Sequence, residues 1–381
     1  MQTITVTADE ARRRHVRNAD YVSCSLAFID CKKPGSHLKQ NFSIIGAGVT
    51  QSADQVVNIQ EPHGFSLGAA AMPHGITNNL HIHYTAEVFM IYSGDWVFRW
   101  GDNGTDGEIA GGAGDVVSVP TWIFRGFKNT GADDGWIFTA LGGDDTGGII
   151  WHPEIVKEAG TFGLYLTKDN MMVDTAAGAM KPAEHDLMPL ISNADRATLR
   201  TYTTGQMRTR VVAAKERPWS KRALLCSVLE GQACEIAPAI GYGMAEDRNL
   251  APKITNPHGF SIEWLKVPRG QSLGRHRIGQ KQVYMVFSGN LRLTFNDPAH
   301  AVSADLKPKD TYSLPAGAWR ALVNVGDADA EVAVITSGDG KKPIEWSADV
   351  VRGARAAGFA IDHNGYVAPL HLLPMSVQRS A

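Results

Sequence analysis

Cysteine is scarce: Cys24, Cys31, Cys226 and Cys234 are the only four in 381 residues, and none has CxxC spacing. Neither a disulfide framework nor a zinc finger organises such a chain. Long apolar runs are missing too. No stretch approaches the ~18 residues of a membrane-spanning helix, and no membrane partner is expected. Charge of one sign is not in excess, since Lys+Arg 37 against Asp+Glu 39 leaves −2 with neutral histidines. Without a broad cationic surface, nucleic acid is not expected as a partner. The opening MQTITVTADEARRRHVR holds no apolar core of a secretory signal, and a cytoplasmic location is the expectation. Its Arg12, Arg13 and Arg14 read as the solvated face of a helix opened by Thr7 and Glu10.

What is present points to a folded, turn-rich chain. Hydrophobic residues at 44% and charged ones at 20% suffice for a real core, which excludes a largely disordered protein. Gly 39 is about a tenth of the residues, against ~7% on average, and favours a β architecture. At roughly 150 residues per domain, the length predicts two.

The two are copies. EPHGFSLGAAAMPHG from Glu61 recurs as NPHGFSIEWLKVPRG from Asn256, an offset of 195. The register holds without a gap, pairing Cys31 with Cys226, Gly46 with Gly241, His81 with His276, Gly94 with Gly289, Arg125 with Arg320 and Trp151 with Trp346. Such long-period self-similarity predicts one domain written twice, over residues 1–186 and 187–381. Within each copy, EVFMIYSGDWVFRW (87–100) and QVYMVFSGNLRLTF (282–295) read as hairpins closed at Ser-Gly. Trp96, Phe98 and Trp100, matched by Leu291, Leu293 and Phe295, form a period-2 core face. A helix is predicted after each set of strands, from Pro153 to Gly160 and from Ser347 to Gly358. The expected fold class is all-β, two barrels or sandwiches with short flanking helices.

His81-Ile82-His83 precedes the first of these runs, and in a strand i and i+2 point the same way. Glu87 follows four residues later. Two imidazoles and a carboxylate on one face suit the facial triad of non-haem Fe(II) oxygenases, with positions left open for substrate and O₂.

His81, His83, Glu87 and Gly94 resemble the first cupin motif, and Gly114-Asp115, Pro120 and Asn129 the second, with Asp310, Pro315, Gly317 and Asn324 in the other copy. The chain therefore resembles the bicupins, which implies tandem double-stranded β-helix (jelly-roll) barrels. By that resemblance His81, His83 and Glu87 are metal ligands. Where the second motif supplies another histidine, Arg125 stands, and a guanidinium has no lone pair to donate. The second copy has Ile278, Gln282 and Arg320 in place of His83, Glu87 and that ligand, with His276 alone retained. One divalent transition metal per chain is expected, in the N-terminal copy: Fe(II) first, with Mn, Ni, Cu or Zn as alternatives.

VPTWIFRGFKN (119–129) also resembles the gentisate- and salicylate-type ring-cleaving dioxygenases, which carry a Pro-Trp pair there. On that likeness Trp122 and Phe89 are candidate pocket residues, although core packing is the preferred explanation of Phe89. Arg125 reads either as a structural ion-pair partner or as a catalytic group binding a substrate carboxylate. Ser66, within GFSLG, lacks the strand-to-helix turn of a nucleophile elbow. GGDDTGG (142–148) lacks the spacing of a phosphate loop, and Arg275 and Arg277, which flank His276, read either as surface residues or as an anion site in the second barrel. The sequence reading is an Fe(II) dioxygenase acting on a small anionic aromatic substrate with O₂, in a homo-oligomer. A non-oxidative metal cupin (isomerase, lyase or decarboxylase) and a non-catalytic binding protein are its alternatives.

Overall fold

A computed structural model describes residues 2–379. Contacts divide the chain into two compact units, Tyr21–Lys215 and Met1–Asp20 with Glu216–Ala381. In the first unit, a seven-stranded sheet runs in the order Val211–Val212, Val116–Val119, Glu87–Ser93, Gly135–Gly142, Phe65–Met72, Gln40–Ile45, Val57–Ile59. A five-stranded sheet runs Ile149–Trp151, Thr77–His83, Arg125–Asn129, Trp96–Trp100, Gly107–Gly111. The inner faces share one core, in which Phe89, Ile91 and Ile137 of the larger sheet meet Trp96, Phe98 and Phe127 of the smaller. The second unit repeats this with six strands and five, around a core that joins Tyr284, Val286 and Val334 to Leu273, Leu293 and Leu322. The all-β expectation holds.

Gly94 does not close a hairpin. Glu87–Ser93 pairs with Val116–Val119 and Gly135–Gly142, whereas Trp96–Trp100 lies in the other sheet between Arg125–Asn129 and Gly107–Gly111. The chain turns a corner between sheets there, and Gln282–Ser288 and Leu291–Phe295 do the same. The turn needs a left-handed residue (Gly94 φ 89°), and a Cβ on it would lie 2.7 Å from the Gly135 Cα. Local turn chemistry was read correctly, but it cannot say which strands then pair. Trp96, Phe98 and Trp100 are buried as the period-2 pattern requires.

The helices after the barrels span Pro153–Thr161 and Ala348–Ala356. Gly160 lies inside the first rather than ending it, and the left-handed residue that follows is Gly163. Among the described residues no helix is long and apolar enough to cross a membrane.

An exchange of arms separates the compact units from the sequence copies 1–186 and 187–381. Near the start of each copy lie a short helix and a short strand: Ala8–Arg13 with His15–Val16, and Thr204–Arg208 with Val211–Val212. His15–Val16 joins the sheet of the second barrel beside Thr311–Leu314, and Val211–Val212 joins that of the first beside Val116–Val119. The aspartates of the second motif secure them. Asp310 accepts from Asn18 N (2.9 Å) and pairs with His15 Nε2 (2.9 Å), and Asp115 accepts from Ala214 N (2.8 Å).

Candidate metal centre

Thr77–His83 is flanked by Arg125–Asn129 on one side and Ile149–Trp151 on the other. Alternation along it turns His81 and His83 one way and the fully buried Ile82 the other. Glu87 opens a strand of the facing sheet, so the donors reach the interior from both walls. One ligand atom from each of His81, His83 and Glu87 lies within 4.8 Å of the others. His83 Nε2 is 3.4 Å from Glu87 Oε1, and the imidazole centroids are 4.9 Å apart.

The surroundings suit a cation. His81 Nδ1 donates to the Asn79 carbonyl at 2.6 Å, which leaves the bare nitrogen at Nε2. Burial, reinforced by Arg125, holds the proton affinity of both imidazoles well below the ordinary range, so they are neutral as ligands must be. Burial pushes the Glu87 carboxyl up, and Arg125 pulls against it. Arg125, itself buried, donates to Glu87 Oε2 from Nε (3.1 Å) and Nη2 (3.0 Å) and to the His81 carbonyl from Nη1 (3.3 Å). Oε1 is thereby left towards His83. Two imidazoles with bare nitrogens and one free carboxylate oxygen fit a single divalent ion.

These groups line one wall of a cavity of about 670 Å³, its mouth included. Phe28, Phe127, Leu141 and Trp151 contribute apolar surface, and Asn41, Ser43, Thr139 and the 46–50 turn contribute polar groups. Phe89 is on this wall, with its ring against Phe98 (4.9 Å) and Phe127 (5.0 Å). Trp122 is not. It is half exposed, has φ 58°, and packs edge-on to Tyr84 (5.5 Å). Arg125 sits behind Glu87 in the ion pair.

A buried polar cluster behind His81 went unread in the sequence. Lys39, 1% exposed, donates to Asp30 and to Asn78 Oδ1. Asp30 also accepts from Asn79 N (3.2 Å) and Asn79 Nδ2 (3.0 Å). An ammonium can only donate, so Lys39 fixes Asn78 with its oxygen inward. The Asn78 Nδ2 is 3.5 Å from His81 Nδ1, which already gives its own hydrogen to Asn79 and cannot accept. Asn78 therefore presents an amide donor at the cavity wall. The repeat held the signal, since Asp30, Lys39 and Asn78 become Leu225, Cys234 and Leu273 in the second copy.

The second barrel keeps the frame without the donors. His276 Nδ1 donates to the Gly274 carbonyl (2.8 Å), but Ile278 and Gln282 replace the other ligands, and Arg320 donates to Gln282 Oε1. Glu263, where the first barrel has Gly68, is buried inside, and burial pushes its carboxyl up to about 8.

No protein-family profile matches the chain, and no curated protein does. Solved structures match over nearly its whole length. The oxalate decarboxylase of Lactobacillus farciminis in its formate complex is 10% identical, with a TM-score of 0.55 over 96% of both chains. The oxalate decarboxylase of Bacillus subtilis at pH 4.6 is 11% identical, with a TM-score of 0.53 over 91% of this chain and 79% of that one. At such identities the likeness is one of fold. With two jelly-roll barrels in tandem and a His-His-Glu donor set in the first, the chain has the fold of the bicupins of the cupin superfamily.

Proposed function

We propose that this chain is a metal-dependent bicupin enzyme of the non-oxidative kind, a lyase or decarboxylase acting on a small carboxylate. The observation that carries the reading is the convergence of His81, His83 and Glu87 at the wall of the first barrel's cavity. The fold neighbours that are oxalate decarboxylases support it. A bound divalent ion would act as a Lewis acid on a substrate carboxylate or carbonyl.

The charges select the ligand. Arg125 and Glu87 cancel, and the imidazoles are neutral, so a divalent ion would leave its whole charge uncompensated in a buried site. An anionic substrate supplies the balance, as buried charges require. Arg125 holds the carboxylate of Glu87 in one orientation, which makes it a positioning residue rather than a direct substrate contact. Asn78 offers its amide hydrogens to a substrate oxygen. Phe89, Phe127, Leu141 and Trp151 keep water from the reacting carbons and strengthen every charge interaction inside.

An oxidative reaction at the same triad is the second reading, favoured by the two-histidine, one-carboxylate donor set typical of Fe(II) oxygenases. One experiment separates them. Protein loaded with Mn(II) or Fe(II) is given a panel of small mono- and dicarboxylic acids and hydroxybenzoates, with CO₂ release and O₂ uptake followed together. Turnover without net O₂ consumption is expected. Stoichiometric O₂ uptake would transfer the assignment to the oxygenase, and a chain that binds no metal would sink both.

A further inference from the structure

The two barrels differ at one place in a way that points to a ligand. In the second, Glu263 projects into the interior from Phe260–Val267, and both its carboxyl oxygens accept from the Met244 N–H, at 3.1 and 3.0 Å. It lies so close on the turn that a Cβ at Gly243 would fall 2.0 Å from its Oε2. The same turn exists in the first barrel. Gly46 and Gly48 (φ 68° and 63°) correspond to Gly241 and Gly243 (64° and 55°), and the backbone donates alike, Gly46 N to Ile59 O and Gly241 N to Ile254 O.

What the first barrel lacks is the acid. Gly68 stands where Glu263 does, and Gly46, Gly48, Val49 and Gly68 all line the open cavity. Val49 occupies the place of Met244, and no group among the described residues accepts its N–H. A second donor is also unspent. Asn41 is 9% exposed, lines the cavity, and its Nδ2 has no partner among the described residues. It shares a strand face with Ser43, whose backbone is in register with Gly68. In the second copy this donor is gone, replaced by Ile236.

A buried amide left without an acceptor carries a real desolvation cost, and the partly exposed Val49 offers an unspent N–H on the same cavity wall. In the second barrel a carboxyl of the chain itself meets the equivalent N–H. We infer that the first barrel binds a carboxylate of its substrate on the 46–50 turn above Gly68, where it accepts from the Val49 N–H and the Asn41 Nδ2, in the space that the Glu263 side chain fills in the second barrel. The substrate class narrows accordingly. It is a small acid with one carboxylate at this turn and a second oxygen function for the metal, such as a dicarboxylate or a hydroxy or oxo acid. The metal end rests on the function proposed above, whereas the carboxylate end does not.

The test uses the whole protein, stripped of metal with EDTA, and carbon-13-labelled acetate followed by NMR at constant ionic strength. Wild type is expected to bind one acetate per chain. Asn41→Ile, which copies the second barrel, should bind it at least about tenfold more weakly. Glu263→Gly, which frees the Met244 N–H but has Ile236 in place of the amide, should bind a second equivalent about as weakly as Asn41→Ile binds the first, and its lowered melting temperature should recover with concentrated acetate but not with chloride. The mirror variant Gly68→Glu is a poor instrument, because its Cβ would lie 2.8 Å from the Phe42 carbonyl oxygen. Equal affinity in wild type and Asn41→Ile, or no acetate bound by wild type, overturns the inference. So does a folded Glu263→Gly protein indifferent to acetate. If that variant does not fold, the Asn41→Ile comparison alone decides. His81→Ala should lose metal without changing acetate affinity in the stripped protein, so the metal reading and this one fail separately.

Discussion

Arg125 places two hydrogen bonds on a single oxygen of Glu87, Oε2, and leaves Oε1 facing His83. The guanidinium thus binds the carboxylate from behind. In the second barrel Arg320 makes the corresponding contact to Gln282, so the arginine and its hydrogen bond are common to both barrels and the carboxylate is present in the first alone.

Removing Arg125 would strand a buried carboxylate. Arg125→Met should destabilise the metal-free protein by about 3–5 kcal/mol, read from urea unfolding. Saturating Zn(II) should restore more stability to the variant than it adds to wild type, because the ion then becomes the only counter-charge. Equal metal-induced gains would show that the pair is not coupled to the site.

Metal content should follow the asymmetry of the halves. Elemental analysis is expected to find about one divalent ion per chain, lost in His81→Ala and His83→Ala and kept in His276→Ala. Retention in the first two, or loss in the third, would place the site elsewhere.

The buried Glu263 carboxyl in the second barrel should make stability depend on pH. Burial raises the Glu263 carboxyl from 4.5 to about 8, against the pull of the Met244 N–H and Lys342. The folded state holds this proton more tightly than the unfolded chain. The contribution is therefore complete below pH 4.5 and lost as pH rises through 8. Glu263→Gln should flatten the fall in melting temperature across that window. Buried His276, lowered to about 3, acts with the opposite sign, its contribution fading as pH falls below 6.5. An unaltered pH profile in Glu263→Gln would count against the buried, protonated acid.

Lys39 and Asp30 form a fully buried pair whose counterparts are Cys234 and Leu225. Lys39→Cys or Asp30→Leu alone should cost about 3–5 kcal/mol, since each leaves an unpaired buried charge. The double variant, with the residues the second barrel carries, should cost less than either. Additive losses in the cycle would mean the two charges do not stabilise one another.

The grouping of the three candidate ligands is legible in the sequence because it is compact there. His81, His83 and Glu87 fall within seven residues, and strand alternation alone aims the imidazoles together. Lys39, Asp30 and Asn78 were not legible by motif, since they act through contacts spanning 9, 39 and 49 residues with no fixed spacing, but comparison of the two halves marks them. Trp122 was misplaced for another reason. Proximity to Arg125 in sequence suggested the pocket, whereas the left-handed backbone at Trp122 carries its ring out beside Tyr84. The corner at Gly94 read as a hairpin because turn residues record a reversal of direction and carry no information about the sheet the chain enters next.

The exchanged arms also set the order in which the chain can be completed. The unit Tyr21–Lys215 has all its strands once residue 215 has been synthesised. The other must take back a segment made at the very start: Val6 bonds with Asn296 and His15 with Asp310, across 290 and 295 residues. Its edge strand therefore cannot dock until nearly the whole chain exists, a closure of long loops that is entropically slow. Refolding should show two phases, and deletion of residues 1–20 should remove the slower one while the first barrel still forms at its normal rate.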